Sequence, residues 1–97
     1  MHARVVTIQY QPGKVDEAIQ ILRESMPETR QQAGFKGAMA LADRSTDKAM
    51  TISLWQTEAQ AQASGASSPY LQAQLAKVAS LSASAPSIET YEVVIQE

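Results

Sequence analysis

The sequence predicts an α+β fold of the ferredoxin-like βαββαβ type, one four-stranded antiparallel sheet with helices on one face. Three observations carry that prediction. The chain has 97 residues, which is enough for one core and one domain spanning 1–97. β-Branched and aromatic runs stand at both ends and on either side of a central polar turn. Apolar residues at three- and four-residue steps fill the two stretches between those runs. Right-handed crossovers then set the helices on one side of a single sheet.

Val5, Val6, Thr7, Ile8 and Tyr10 make the first strand, which Gln11-Pro12-Gly13 ends. Val15, Ala18, Ile19, Leu22 and Met26 then recur with helical period, and Asp16 and Glu17 occupy the first turn, where the helix dipole favours acids. The spacing predicts a helix over about 14–33. Pro27 lies inside it, so a kink or a break is expected there, with Ser25 capping the restarted half. Gly34 stands where a left-handed cap is wanted.

Residues 35–42 and about 49–56 form the arms of a hairpin whose turn is Asp43-Arg44-Ser45-Thr46-Asp47-Lys48. Met50, Ile52 and Leu54 face one way along the second arm, and Thr51, Ser53 and Trp55 the other. Both faces are apolar, while one helical layer is all that the remaining residues supply. A partner on the uncovered face, hence a homodimer, is the physical expectation. Thr57-Glu58-Ala59-Gln60 fits a capping box for a short helix that Ser64-Gly65-Ala66-Ser67 interrupts. Ser68-Pro69 caps the next helix, with Leu71, Leu75 and Val78 as its buried stripe to about Leu81. Residues 88–96 close the fold as a strand.

Composition removes several function classes. Eight Lys and Arg against ten Asp and Glu give a formal charge of −2, with no basic field for nucleic acid. There are no cysteines and a single histidine, His2. Disulfides, thiolate metal centres and a cysteine nucleophile are thereby excluded, and a metal site is not expected. No phosphate-cradling glycine motif, nucleophile elbow, signal peptide or membrane-spanning run occurs, and the expected compartment is the cytoplasm.

The residues able to carry chemistry are few. Trp55 offers a flat wall and one N–H donor for a planar ligand, or packing for the junction between strand and helix. Tyr70 opens the last helix and can present a phenol to a cleft between helix and sheet, as hydrogen-bond partner or weak acid, or lie at the rim. Ser53, on the face of Trp55, and Leu71 are candidate wall residues. Met39 could soften a ligand cavity or simply fill the core. His2 could act as a base, but a frayed terminus would not hold it in place. The carboxylates fall off the apolar stripes and read as solvated.

Taken together, VTIQYQPGKVDEAI and GFKGAMALADRSTDKAMTISLWQTE resemble the antibiotic biosynthesis monooxygenase family of dimeric α/β barrels. Pro12-Gly13-Lys14, Gly34-Phe35 and Leu54-Trp55 carry most of the likeness. The resemblance implies a homodimer whose sheets pack face to face, with a pocket between sheet and helices in each subunit. It also implies a cofactor-independent monooxygenase of a small aromatic, phenolic or quinol-like compound, using molecular oxygen, with Trp55 at the pocket. Haem-degrading members carry a histidine on the helix after that strand. Residues 59–81 contain none, which argues against haem and leaves Tyr70 or water as the proton acceptor. A non-catalytic dimer that binds a small apolar molecule is the alternative.

Overall fold

The structure is a computed structural model describing residues 1–97. Strand β1 spans His2–Gln9, helix α1 Val15–Arg30, β2 Phe35–Asp43 and β3 Lys48–Trp55. Helix α2 spans Glu58–Ala63, α3 Pro69–Val78 and β4 Ser87–Glu92. A single 3₁₀ turn, Ala79–Leu81, extends α3. The four strands form one sheet in the order β2-β3-β1-β4, all pairings antiparallel. This is the ferredoxin-like arrangement.

Register decides which side chains meet the helices. Val6 pairs with Thr51 and Ile88, Arg4 with Ser53 and Thr90, and Trp55 with His2 and Phe35. These positions share the helix-covered face. Val6, Ile8, Tyr10 and Ala49 there join Val15 and Ala18 of α1, Val78 of α3 and Leu81 in one buried cluster. The alternate positions face away from all three helices. Met39, Leu41 and Tyr91 on that open face are 57%, 47% and 51% exposed, and Val5, Met50, Ile52 and Leu54 lie among them. The uncovered side is therefore apolar, as alternation along the strands predicts.

Local chemistry explains the helix starts. Thr57 accepts from the Gln60 backbone N–H at 3.1 Å, and Ser68 from that of Leu71 at 3.1 Å, each closing one of the open donors of a first helical turn. Gly34 turns the chain from α1 into β2 with φ +83°, and a Cβ there would run into the Gln60 side chain. Position 34 thus excludes a side chain twice over. In the hairpin turn, the Asp47 carbonyl accepts from Tyr10 N at 2.8 Å and its carboxylate from Gly13 N at 3.1 Å, which fastens the turn to the end of β1.

Four sequence expectations are corrected. Helix α1 runs unbroken through Pro27. Pro27 and Arg23 both lie on the exposed side, so the Arg23 carbonyl that loses its donor can turn to water. Ser25 does not cap a second helix but donates back to the Ile21 carbonyl at 2.9 Å. The closing strand ends at Glu92 rather than Gln96 because Glu92 pairs with His2, where β1 begins, and no partner strand extends further. His2 itself is held in β1 instead of fraying, with Nε2 3.6 Å from Glu58 Oε2.

Candidate functional site

Between the sheet and the seam of α1 and α3 lies a cavity of about 60 Å³. Its floor comes from the strands, with Val6, Ile8, Ala38, Thr51 and Ser53. Its roof comes from Leu22, Ser25 and Met26 of α1 and Tyr70, Leu71 and Leu75 of α3. The lining is mostly apolar, because the same alternation and helical stripe that bury the core also wall the cavity.

The polar groups gather at one end. Thr29 Oγ1 lies 2.6 Å from the Tyr70 hydroxyl and accepts from Gln74 Nε2 at 2.8 Å. Thr29 also faces the Ser25 carbonyl at 3.4 Å. If Thr29 gives its proton to that carbonyl, the Tyr70 O–H is the donor in the short contact and its lone pairs stay free. Burial raises the Tyr70 pKa, opposed by the Thr29 hydrogen bond and the positive charge of Arg4. Near neutral pH Tyr70 is therefore a neutral phenol, able to donate a proton or a hydrogen bond.

Arg4 is the residue that sequence reasoning missed. It lines the cavity and is only 2% exposed. Nη1 donates to the Ala61 carbonyl at 3.0 Å and to Ser64 Oγ at 3.1 Å, at the C-terminal end of α2. The guanidinium carbon lies 4.8 Å from the Trp55 ring centroid, a cation over an aromatic face. Burial lowers its pKa, but a guanidinium stays charged in proteins. One signal could have found it. Arg4 keeps the two-residue period of Val6 and Ile8, so a strand that turns those two inward turns Arg4 inward as well.

The residues named from sequence divide accordingly. Ser53, Tyr70 and Leu71 line the same cavity. Trp55 lies beneath Arg4 and does not reach the cavity. It is wholly buried, packed edge-on against Phe35 with centroids 5.8 Å apart, and its Nε1 donates to Ser53 Oγ at 2.9 Å. Met39 borders a separate recess of about 190 Å³ between α1 and the edge strand β2. Leu22, Met26, Ala38 and Thr51 contribute to both spaces, so the side chains of Leu22 and Met26 partition them. No group of three His, Asp or Glu side chains is placed to hold a metal ion. No helix is long and apolar enough to cross a membrane.

Comparison with known proteins decides the family. The model of the family described as antibiotic biosynthesis monooxygenase matches residues 1–76. The chain belongs to this family. No curated protein matches it in sequence. Among solved structures, NE2512 of Nitrosomonas europaea, described as of unknown function, superposes with a TM-score of 0.82 at 23% identity, covering 99% of this chain and 91% of its own. A Bordetella bronchiseptica protein carrying the family name gives 0.82 at 16% identity, covering 97% of each chain. SnoaB of Streptomyces nogalater, described as a cofactor-independent oxygenase, gives 0.78 at 14% identity, with 98% and 94% covered. At these identities the likeness is one of fold. A monooxygenase-type fold with a small, partly open cavity above its sheet is thus what family membership and geometry jointly give.

Proposed function

We propose that this member of the antibiotic biosynthesis monooxygenase family is a cofactor-independent monooxygenase of a small aromatic, phenolic or quinol-like compound, working as a homodimer through its open sheet face. The observation that carries the reading is the apolar cavity lined by two phenols, Tyr10 and Tyr70, of which Tyr70 belongs to the hydrogen-bonded polar cluster with Thr29 and Gln74. Oxygenation of an electron-rich ring draws its electrons from the substrate. When a ring CH₂ becomes a carbonyl, the carbon loses four electrons and O₂ takes up four. One oxygen atom stays on the substrate and the other leaves as water, with no external reductant. The protein's part is to align the ring, exclude water and manage protons. Ser53 and Leu71 act as walls and Tyr70 as the proton donor to the reduced oxygen. Trp55 supports Arg4 from behind, and Met39 borders the adjoining recess, which enters use only when Leu22 and Met26 swing aside.

That movement is required by size. A dry apolar cavity that takes benzene has roughly 150 Å³, against about 60 Å³ here. Met26 has three rotatable bonds and adapts readily.

The test is oxygen uptake by the purified protein with a panel of phenols and hydroquinones, with no metal or flavin added, followed by mass spectrometry under ¹⁸O₂. The expected result is one labelled oxygen atom in the product and loss of turnover in Tyr70→Phe. No uptake across the panel defeats the reading. A second reading, a binding module without turnover, is favoured by one observation: no His, Asp or Glu lines the cavity to serve as base. Saturable binding of an aromatic ligand without oxygen uptake would establish it.

A further inference from the structure

The guanidinium of Arg4 is a buried cation with no counter-ion. Arg4 takes part in none of the ion pairs of the chain. Its protein hydrogen bonds all leave from Nη1, and Nε is sealed from solvent with no partner. Removing an ion from water costs several kcal/mol unless its donors are met, and an unmet buried donor adds to that cost. Trp55 and the carbonyl end of α2 offset part of it. Nη2 makes no hydrogen bond within the protein and, unlike Nε, is not sealed, so it is the charged donor that a ligand oxygen in the cavity can reach.

We propose that Arg4 is the receptor for an anionic ligand: the cavity takes a small planar monoanion, a phenolate or an aromatic carboxylate, whose charged oxygen accepts from Nη2 of the guanidinium while its ring lies between Leu71 and the strand floor. The Tyr70 hydroxyl lines the same cavity and serves as a second donor once it turns its proton from Thr29 Oγ1 to the ligand. The inference rests on the cavity being the ligand site, and it supplies what the oxygenase reading lacks. A substrate held beside Arg4 ionises more easily, so its own acidity replaces the missing base.

A purely structural Arg4 would fasten α2 to the sheet through Nη1 and would be indifferent to what fills the cavity. Calorimetric titration of the full-length protein separates the two roles. The probes are benzoate against benzamide, and 4-nitrophenol against 4-nitroanisole, with the phenolate absorbance band followed across pH. In the wild type at least one anion binds about 10- to 100-fold tighter than its neutral counterpart, the range of a hydrogen bond to a charged group, and bound 4-nitrophenol ionises at lower pH than the free compound. Arg4→Gln loses the preference and Arg4→Lys keeps part of it. Should Arg4→Gln fail to fold, the wild-type ratios and the absorbance shift decide alone. Preference for benzoate only, or for the phenolate only, identifies the oxyanion and supports the proposal. Equal affinity for charged and neutral members, or no saturable binding of either anion, overturns it. The oxygenase reading stands or falls separately. Anion binding without oxygen uptake keeps the receptor and defeats the oxygenase, and uptake with neutral quinols without charge preference does the reverse.

Discussion

Replacing Trp55 with Phe tests whether the indole is the support beneath Arg4. The substitution keeps an aromatic face for Phe35 and the guanidinium, but deletes the N–H that donates to Ser53 Oγ at 2.9 Å and the second ring of a side chain with no exposed surface. The lost hydrogen bond costs about 1 kcal/mol. The smaller ring leaves a void in a rigid junction between β3 and α2, which adds about 1–2 kcal/mol. A further fraction comes from the weaker attraction of a phenyl face for the cation. The expected loss is therefore about 2–3 kcal/mol, or roughly 10–20 °C in Tm for a chain of this size. Urea unfolding followed by far-ultraviolet circular dichroism measures it, with protein concentration held fixed because self-association would shift the midpoint. A loss below about 0.5 kcal/mol, the range of ordinary surface substitutions, would refute the packing argument. An unaltered charge preference in the ligand titrations would remove the role of Trp55 in placing Arg4.

Gly34→Ala should destabilise by more than about 1 kcal/mol, because φ is +83° and the new Cβ meets Gln60; a neutral urea midpoint would contradict this. Burial raises the pKa of both Tyr10 and Tyr70. Their contribution is full below the unfolded-state tyrosine value of about 10 and is lost as pH climbs through the raised folded values. Urea midpoints should accordingly hold to about pH 9 and fall beyond 10, less steeply in Tyr70→Phe; a midpoint unchanged to pH 11.5 would refute it. Leu41→Arg on the open face should convert a dimer into monomers in gel filtration with light scattering. A wild type that is itself monomeric would defeat the paired-sheet reading.

Much of the architecture was legible because its signals are local. Thr57 and Ser68 cap the helices that their spacing predicts, and each cap is a bond between residues three apart. Gly34 was legible for the same reason. The candidate site was only half legible, because the cavity depends on which strands pair and in which register. Trp55, at the end of β3, reads equally well as wall or as packing until the register sets it opposite His2 and Phe35 and below Arg4. Met39 lies one residue from Ala38, and in a strand that single step is the difference between the helix-covered face and the open one. Arg4 escaped notice because a charged residue among β-branched neighbours suggests a solvated position. The Pro27 break failed because the cost of proline in a helix depends on where the orphaned carbonyl points, and here it points outward.

That uninterrupted proline has a mechanical meaning. Because Pro27 cannot bond to the Arg23 carbonyl, α1 lacks one rung of its ladder, next to Met26 on the wall shared with the outer recess and two residues before Thr29 at the polar end. What holds the final turn of α1 in place is therefore lateral: Thr29 is tied to Tyr70 and Gln74, and Glu28 to Lys77, all on α3, so the two helices secure each other where the backbone ladder of α1 is thinnest.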